Sequence, residues 1–140
     1  MILLDTNVVS EPLRQTPDAG VVAWIDAQPL ETLFLAAITV AELRAGVAFL
    51  PAGKRRTGLR DNLETRVLPL FAGRILPFDL ACTQAYADLM TKARSSGLAI
   101  ASADGYIAAI AAANGFAVAT RDTSPFRAAG VSVIDPWQAH

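Results

Sequence analysis

Four acids carry the chemistry this chain has parts for: Asp5, Glu42, Asp104 and Asp122. Asp5 ends an apolar run, Ile2-Leu3-Leu4, and Thr6 and Asn7 follow before the hydrophobic pattern resumes. That reads as a short buried strand closing on a carboxylate, with a helix opening directly behind it. In an open α/β sheet, ligands bind outside the carboxyl ends of the strands, at the topological switch point. Four carboxylates gathered there repel one another unless a cation is present or some take up protons. Hard divalent cations prefer oxygen ligands, and Mg²⁺ uses one or two carboxylates while keeping waters and substrate phosphates. Such a site activates water and stabilises the leaving oxygen in phosphodiester cleavage, with one ion or with two about 4 Å apart.

Each acid also has a plainer reading. Thr39-x-x-Glu42 fits a capping box, in which Glu42 reaches back to the start of its helix. Asp104, in a first helical turn, suits the helix dipole. Asp122 lies in the turn Thr120-Arg-Asp122-Thr-Ser-Pro125, where an acid readily bonds its own backbone. Asp5 could serve as an N-cap. Spacing alone does not bring the four together.

The residues that are missing narrow the chemistry. The one histidine, His140, is the last residue, where chain ends fray, so neither a Ser/His/Asp triad nor a two-histidine ribonuclease mechanism has its base. Cys82 has no histidine to activate it and reads as a buried packing residue. No Gly-rich phosphate loop with its lysine and no Cys/His zinc cluster is present. What remains is hydrolysis at an acidic metal site.

These residues need a frame to position them. A helix start is expected at Thr16-Pro17-Asp18, with Pro17 at the first helical position, and its apolar face is Val21, Val22 and Ile25. Leu33–Ala36 is a second strand, apolar throughout as burial on both faces requires. A helix opens at Thr39 and runs to about Leu50, where Pro51 stops it. A polar helix spans about Lys54 to Phe71, with Leu59, Leu63, Val67 and Leu70 at helical spacing. Ile75-Leu76 is a third strand, and Asp79 caps a helix that ends at Ser96-Gly97. Ser102 opens another helix, which Gly115 terminates. Ala117–Ala119 is a fourth strand and Val131–Ile134 a fifth. The alternation predicts an α/β fold: one domain over residues 1–140, with a central parallel sheet of four to five strands and helices on both faces.

Length and composition agree with one domain. A chain of 140 residues holds one real core and is short for two. Apolar residues make up 53% and charged ones 18%, which leaves enough greasy surface to expect a partner or a second copy. The net charge of −1 supplies no global field for nucleic acid, so any such contact must be local. One cysteine rules out an internal disulfide and suits a reducing cytoplasm. No run of apolar residues is long enough to span a membrane, and the N-terminus lacks the basic region of a signal peptide.

The chain resembles the PIN-domain nucleases, specifically the small VapC/FitB-type toxins of bacterial toxin–antitoxin pairs. The motifs are Leu3-Leu4-Asp5-Thr6-Asn7, Thr39-Val40-Ala41-Glu42-Leu43, Ala103-Asp104-Gly105-Tyr106-Ile107-Ala108-Ala109 and Ala119-Thr120-Arg121-Asp122, with Val133-Ile134-Asp135-Pro136-Trp137 as a closing strand. They occur in order and cover the whole chain. The resemblance implies a metal-dependent endoribonuclease in which Asp5, Glu42, Asp104 and Asp122 hold Mg²⁺ or Mn²⁺, Glu42 and Asp122 either directly or through water. Asp5 and Asp104 would be the core ligands, Thr120 would support Asp5 or a bound water, and Asn7 would stand behind them. It further implies structured RNA (tRNA or rRNA) as substrate, a homodimer or a larger assembly, and neutralisation by a cognate VapB/FitA-type antitoxin. DNA would be bound only through that antitoxin. Two departures stand out. The family often has Asn at the position of Asp122 and a later Asp before Phe, whereas Pro125 precedes Phe126 here. It also often has Pro in the stretch before the third acid, where this chain reads Ala99-Ile100-Ala101.

Around the acids, Lys54, Arg55 and Arg56 with Arg60 form a local basic patch suited to phosphate, or to a solvated helix face. Arg44 and Arg121 flank proposed ligands and suit either substrate phosphate or a structural ion pair. Trp24 and Trp137 read as core or dimer contacts. Two rivals remain. A phosphoacceptor receiver domain would want adjacent acids after the first strand and a lysine after the last, and the only lysines are Lys54 and Lys92. A catalytically inert PIN-like module, acting only through its antitoxin and DNA complex, would have no need of all four acids.

Overall fold

A computed structural model describes residues 1–138; His140 lies outside the described residues. The five strands are β1 (Ile2–Leu4), β2 (Leu33–Ala36), β3 (Ile75–Leu76), β4 (Ala117–Ala119) and β5 (Val133–Ile134). All pair in parallel, in the order β3-β2-β1-β4-β5. The chain steps outward from β1 through β2 to β3, then returns to the other side of β1 with β4. The switch point therefore falls between β1 and β4, where the crevice of an open α/β sheet is expected.

The helices are α1 (Thr6–Ser10), α2 (Ala19–Ala27), α3 (Ala37–Ala48), α4 (Lys54–Asn62), α5 (Leu80–Ser95), α6 (Ser102–Asn114) and α7 (Thr123–Ala128). Alternation along the strands divides the core in two, because successive side chains point to opposite faces. Leu3, Ala36 and Val118 join one cluster with Leu89, Ile107, Ile110 and Phe126 of α5, α6 and α7. Leu4, Leu33, Leu35 and Ala119 join the other with Val8, Val40, Leu43 and Leu63. Both sheet faces are thus covered by helices, and each inner strand reads as continuously apolar.

Several elements differ in detail from the pattern in the sequence. Asp18, not Pro17, opens α2: its carboxylate accepts from the Val21 N–H at 3.1 Å, leaving Pro17 just outside the helix. The polar helix expected over 54–71 holds α-geometry only to Asn62, then widens into a π turn at Leu63–Val67 and tightens to a 3₁₀ turn at Leu68–Phe71. Pro69 gives the reason, since it has no N–H to continue the ladder. The turn after Asp122 is itself a short helix, α7, with Asp122 at its N-cap position, and β5 is confined to Val133–Ile134. Asp79 caps α5 as expected, accepting from the Cys82 N–H at 3.2 Å, and Cys82 is buried.

Candidate active site

Asp5 occupies the corner made by β1, α1 and β4. Its N–H bonds the Ala119 carbonyl at 2.9 Å, continuing the β1–β4 ladder by one residue. Its side chain, with the residue only 5% exposed, then turns into the crevice. One carboxylate oxygen accepts from the Thr6 N–H at 2.8 Å. The other accepts from the Thr120 hydroxyl at 2.8 Å and more distantly from the Asn7 amide at 3.5 Å. So Asp5 does cap α1, and the same bonds fix which way its free lone pairs face. Burial pushes its carboxyl above the ordinary value, the Thr120 and Thr6 bonds pull it back, and the charges of Asp104 and Glu42 push it up again.

Thr120 and Asn7 lock this corner. The Thr120 hydroxyl, fully buried, donates to Asp5 and accepts from the Asp122 N–H at 3.1 Å and the Asn7 amide at 3.3 Å. The Asn7 side-chain oxygen accepts from the Arg121 N–H at 3.2 Å. One amide thereby ties α1 to the loop between β4 and α7.

Glu42 sits in α3, which starts at Ala37, straight after β2. Thr39 is therefore already inside the helix, the N-cap position is Ala36, and no side chain caps it; the capping-box reading of Thr39 and Glu42 fails. Glu42 instead accepts from the Thr6 hydroxyl at 2.8 Å. Thr6, absent from the sequence-based site, thus touches two of the four acids, through its N–H and its hydroxyl. Its signal was its place, immediately after Asp5 at the first position of α1. Thr39 is buried with its hydroxyl unpartnered.

Asp104 lies in the first turn of α6 and makes no capping bond. Gly105 beside it lets α6 press on α5, since a Cβ there would stand 3.0 Å from a Tyr86 ring carbon and 3.3 Å from the Met90 sulfur. The Asp104 carboxyl is raised by burial first, then by the charges of Asp122 and Glu42. Asp122 is exposed, and its side chain makes no bond at the α7 N-cap. Asp5 thus feels the charge of Asp104 and Glu42, and Asp104 that of Asp122 and Glu42. Among the described residues none of the four has an ion-pair partner, and no three such side chains are already drawn together as a metal-ligand cluster.

The basic candidates separate. Arg44 turns away from the acids to pair with Glu64 through two bonds, at 2.8 and 3.1 Å. Arg56 reaches the Leu50 carbonyl at 3.5 Å. Arg55 lines a groove with Thr6, Glu42, Leu43, Val47 and Leu59, and Lys54 is exposed at the start of α4. Arg121 lies with its guanidinium 5.1 Å from the centre of the Trp137 ring. Trp24 and Trp137 both pack against the core cluster that contains Leu4 and Val8.

A PIN-domain family model matches residues 2–131. The chain belongs to the PIN-domain family, in its VapC/FitB branch. It is 63% identical over 138 residues to the VapC ribonuclease Y4jK of Sinorhizobium fredii, covering 99% of each chain. It is 57% identical over 137 residues to the toxin FitB of Neisseria gonorrhoeae, covering 98% of this chain and 99% of the relative. The crystal structure of FitAcB from Neisseria gonorrhoeae superposes with a TM-score of 0.96 at 56% identity, covering 99% of both chains. In this PIN domain Asp5 and Asp122 follow β1 and β4, while Glu42 and Asp104 lie early in α3 and α6. Among the described residues no helix is long and apolar enough to cross a membrane.

Proposed function

We propose that this PIN domain is a metal-dependent endoribonuclease toxin that hydrolyses RNA phosphodiester bonds. The observation that carries the reading is that four carboxylates lie at or beside the sheet's carboxyl edge, and that among the described residues none of the four has an ion-pair partner. Asp5 and Asp104 each feel the charge of others in the set. The donor set fits a hard divalent cation, because every donor is oxygen and two of the carboxyls are pushed upward by burial and like charge. Asp5, Glu42, Asp104 and Asp122 would hold Mg²⁺ or Mn²⁺. When bound, the ion supplies charge neutralisation, an acidified water and stabilisation of the leaving oxygen. The chain's own residues prepare the site. Thr120, Thr6 and Asn7 hold the Asp5 carboxylate in one orientation, and Thr6 restrains Glu42 through its hydroxyl. Asp104 and Asp122 have no hydrogen-bond or ion-pair partner for their carboxylates among the described residues.

The relatives' names support the toxin reading: one is called a ribonuclease and another a toxin. A solved relative is described as FitAB bound to a DNA fragment, in keeping with a FitA-type antitoxin that carries the DNA contact. The groove that begins at Thr6 and Glu42 and continues over Leu43, Val47, Leu50 and Leu59 suits the apolar face of an antitoxin helix. A homodimer in the cytoplasm completes the reading. Phe49 and Leu80, each more than four-fifths exposed, are the apolar side chains a second copy could cover.

The test is cleavage of total RNA by the isolated protein, with Mg²⁺ or Mn²⁺ against excess EDTA, beside Asp5→Asn and Asp104→Asn. Discrete fragments that need the ion and vanish in both variants are the expected result. Cleavage that survives EDTA or either substitution sinks the mechanism. A folded wild type, free of antitoxin, that cuts nothing favours the inert module.

A further inference from the structure

We propose that Trp137 is a positioning residue whose indole face holds the Arg121 guanidinium at the rim of the acidic crevice, ready for a phosphodiester of the RNA. This rests on the ribonuclease reading. Arg121 stands between Thr120, which bonds Asp5, and Asp122, and its N–H is fixed to Asn7. Its backbone therefore belongs to the most tightly bonded part of the site. Asp122 is the next residue, yet among the described residues the guanidinium pairs with none of the four acids. It rests on Trp137 instead.

That arrangement has a chemical logic. An arginine stacked on an aromatic ring keeps its N–H edge free, and that edge matches two phosphate oxygens at once. An unrestrained arginine here would fall onto Asp122 or Asp5, filling the crevice with an internal ion pair. The ring's attraction for a cation offers a competing resting place just outside. The ring is itself fixed. The Trp137 side chain packs against the core cluster around Leu4 and Val8, and the Trp137 backbone N–H donates to the Asp135 carboxylate at 2.9 Å. The last turn of the described chain thus reaches back to the active site through one side chain.

RNA binding without turnover tests this. An Asp5→Asn background in Mg²⁺ would be titrated with a short fluorescein-labelled RNA, and affinity read by anisotropy across a range of salt. Adding Arg121→Gln should weaken binding about tenfold, as expected for lost charged hydrogen bonds, and lower the salt slope by about 1. Trp137→Phe should stay near the parent, because it keeps an aromatic face. Trp137→Leu should weaken binding as Arg121→Gln does, and the double variant should be no worse than either alone. A second readout survives if Trp137→Leu does not fold. With Trp24→Phe, Trp137 is the sole tryptophan, and its emission should change on RNA addition only while Arg121 is present. An affinity and salt slope indifferent to Arg121→Gln overturn the proposal alone, as do additive losses at the two positions. Failure of the parent to bind any RNA overturns it together with the ribonuclease reading.

Discussion

The molecule treats its acids in two ways, and the contrast between the α3–α4 arm and the sheet's carboxyl edge shows how. On the arm, Glu64 is bridged twice by Arg44, and those bonds hold its carboxyl below the ordinary value. Near the start of α2, Glu11 is 3% exposed, yet Arg14 at 3.2 Å and the Asp18 N–H at 2.9 Å satisfy it. At the sheet edge, Asp5 and Asp104 are pushed the other way, by burial and by neighbouring acids. A chain that balances Glu11 and Glu64 locally leaves Asp5, Glu42, Asp104 and Asp122 without an ion-pair partner among the described residues. Under the proposed activity, the difference separates acids neutralised within the fold from acids left to a ligand.

Substitution at the edge should abolish function with little loss of structure. Asp5→Asn is expected to lower metal-dependent RNA cleavage by about 10²–10³-fold or more, the scale for removing a charged group at the reacting centre. Thr120→Val removes the bond that orients Asp5 and should cost about 10–100-fold, as supporting residues of metal sites do. Kinetics on a defined RNA would check both, and a Thr120→Val enzyme of wild-type rate would show that the corner needs no lock. Glu11→Ala should invert the pattern. It leaves the Asp18 N–H without its acceptor, costing about 1–3 kcal/mol of stability in urea melts, while cleavage at low temperature stays within about twofold, as for a change far from the reacting groups.

The pH dependence sharpens the same contrast. An acid whose carboxyl is raised in the folded state binds more protons folded than unfolded, so stability falls as pH rises from its ordinary value through the raised one. For Asp104 that window begins at 3.8 and extends upward. Without added metal, the melting temperature should therefore decline across it. Asp104→Asn should flatten the decline, and saturating Mn²⁺ should raise the melting temperature of the wild type more than that of the variant. A decline of equal slope in both proteins would remove Asp104 from the unbalanced set. The smallest effect is expected on the arm, where Arg44→Ala breaks an exposed pair. Such pairs contribute little, and thermal melts should not resolve the change.

Much of the frame was legible because apolar strands and glycine or proline stops leave local marks. Leu33–Ala36, Ile75-Leu76 and Ala117–Ala119 read as strands for that reason. The failures share a physical cause, which is that a cap depends on where the helix begins. Thr39 has the right spacing to Glu42 for a capping box, but β2 runs into α3 without a loop and puts the N-cap at Ala36 and the helix start at Ala37. Pro17 and Asp18 are each plausible starters, and only the fold selects between them. The acids were visible as types, while Thr6 was hidden because its two bonds go to partners in different elements. Arg44 and Arg121 look alike in sequence, each within two residues of a candidate ligand. One is bound to Glu64 and the other rests on Trp137, a distinction no spacing encodes.

Asn7 has a further consequence, which is genetic. Its amide donates at one end, toward Asp5 and Thr120, and accepts at the other, from the Arg121 N–H. An aspartate of the same shape can accept at both ends and donate at neither, and it would bring a fifth negative charge against Asp5. Asparagine and aspartate codons differ by a single nucleotide. Under the proposed activity, a lineage selected to escape this toxin has a one-step route to do so, with all four acids still intact in its gene.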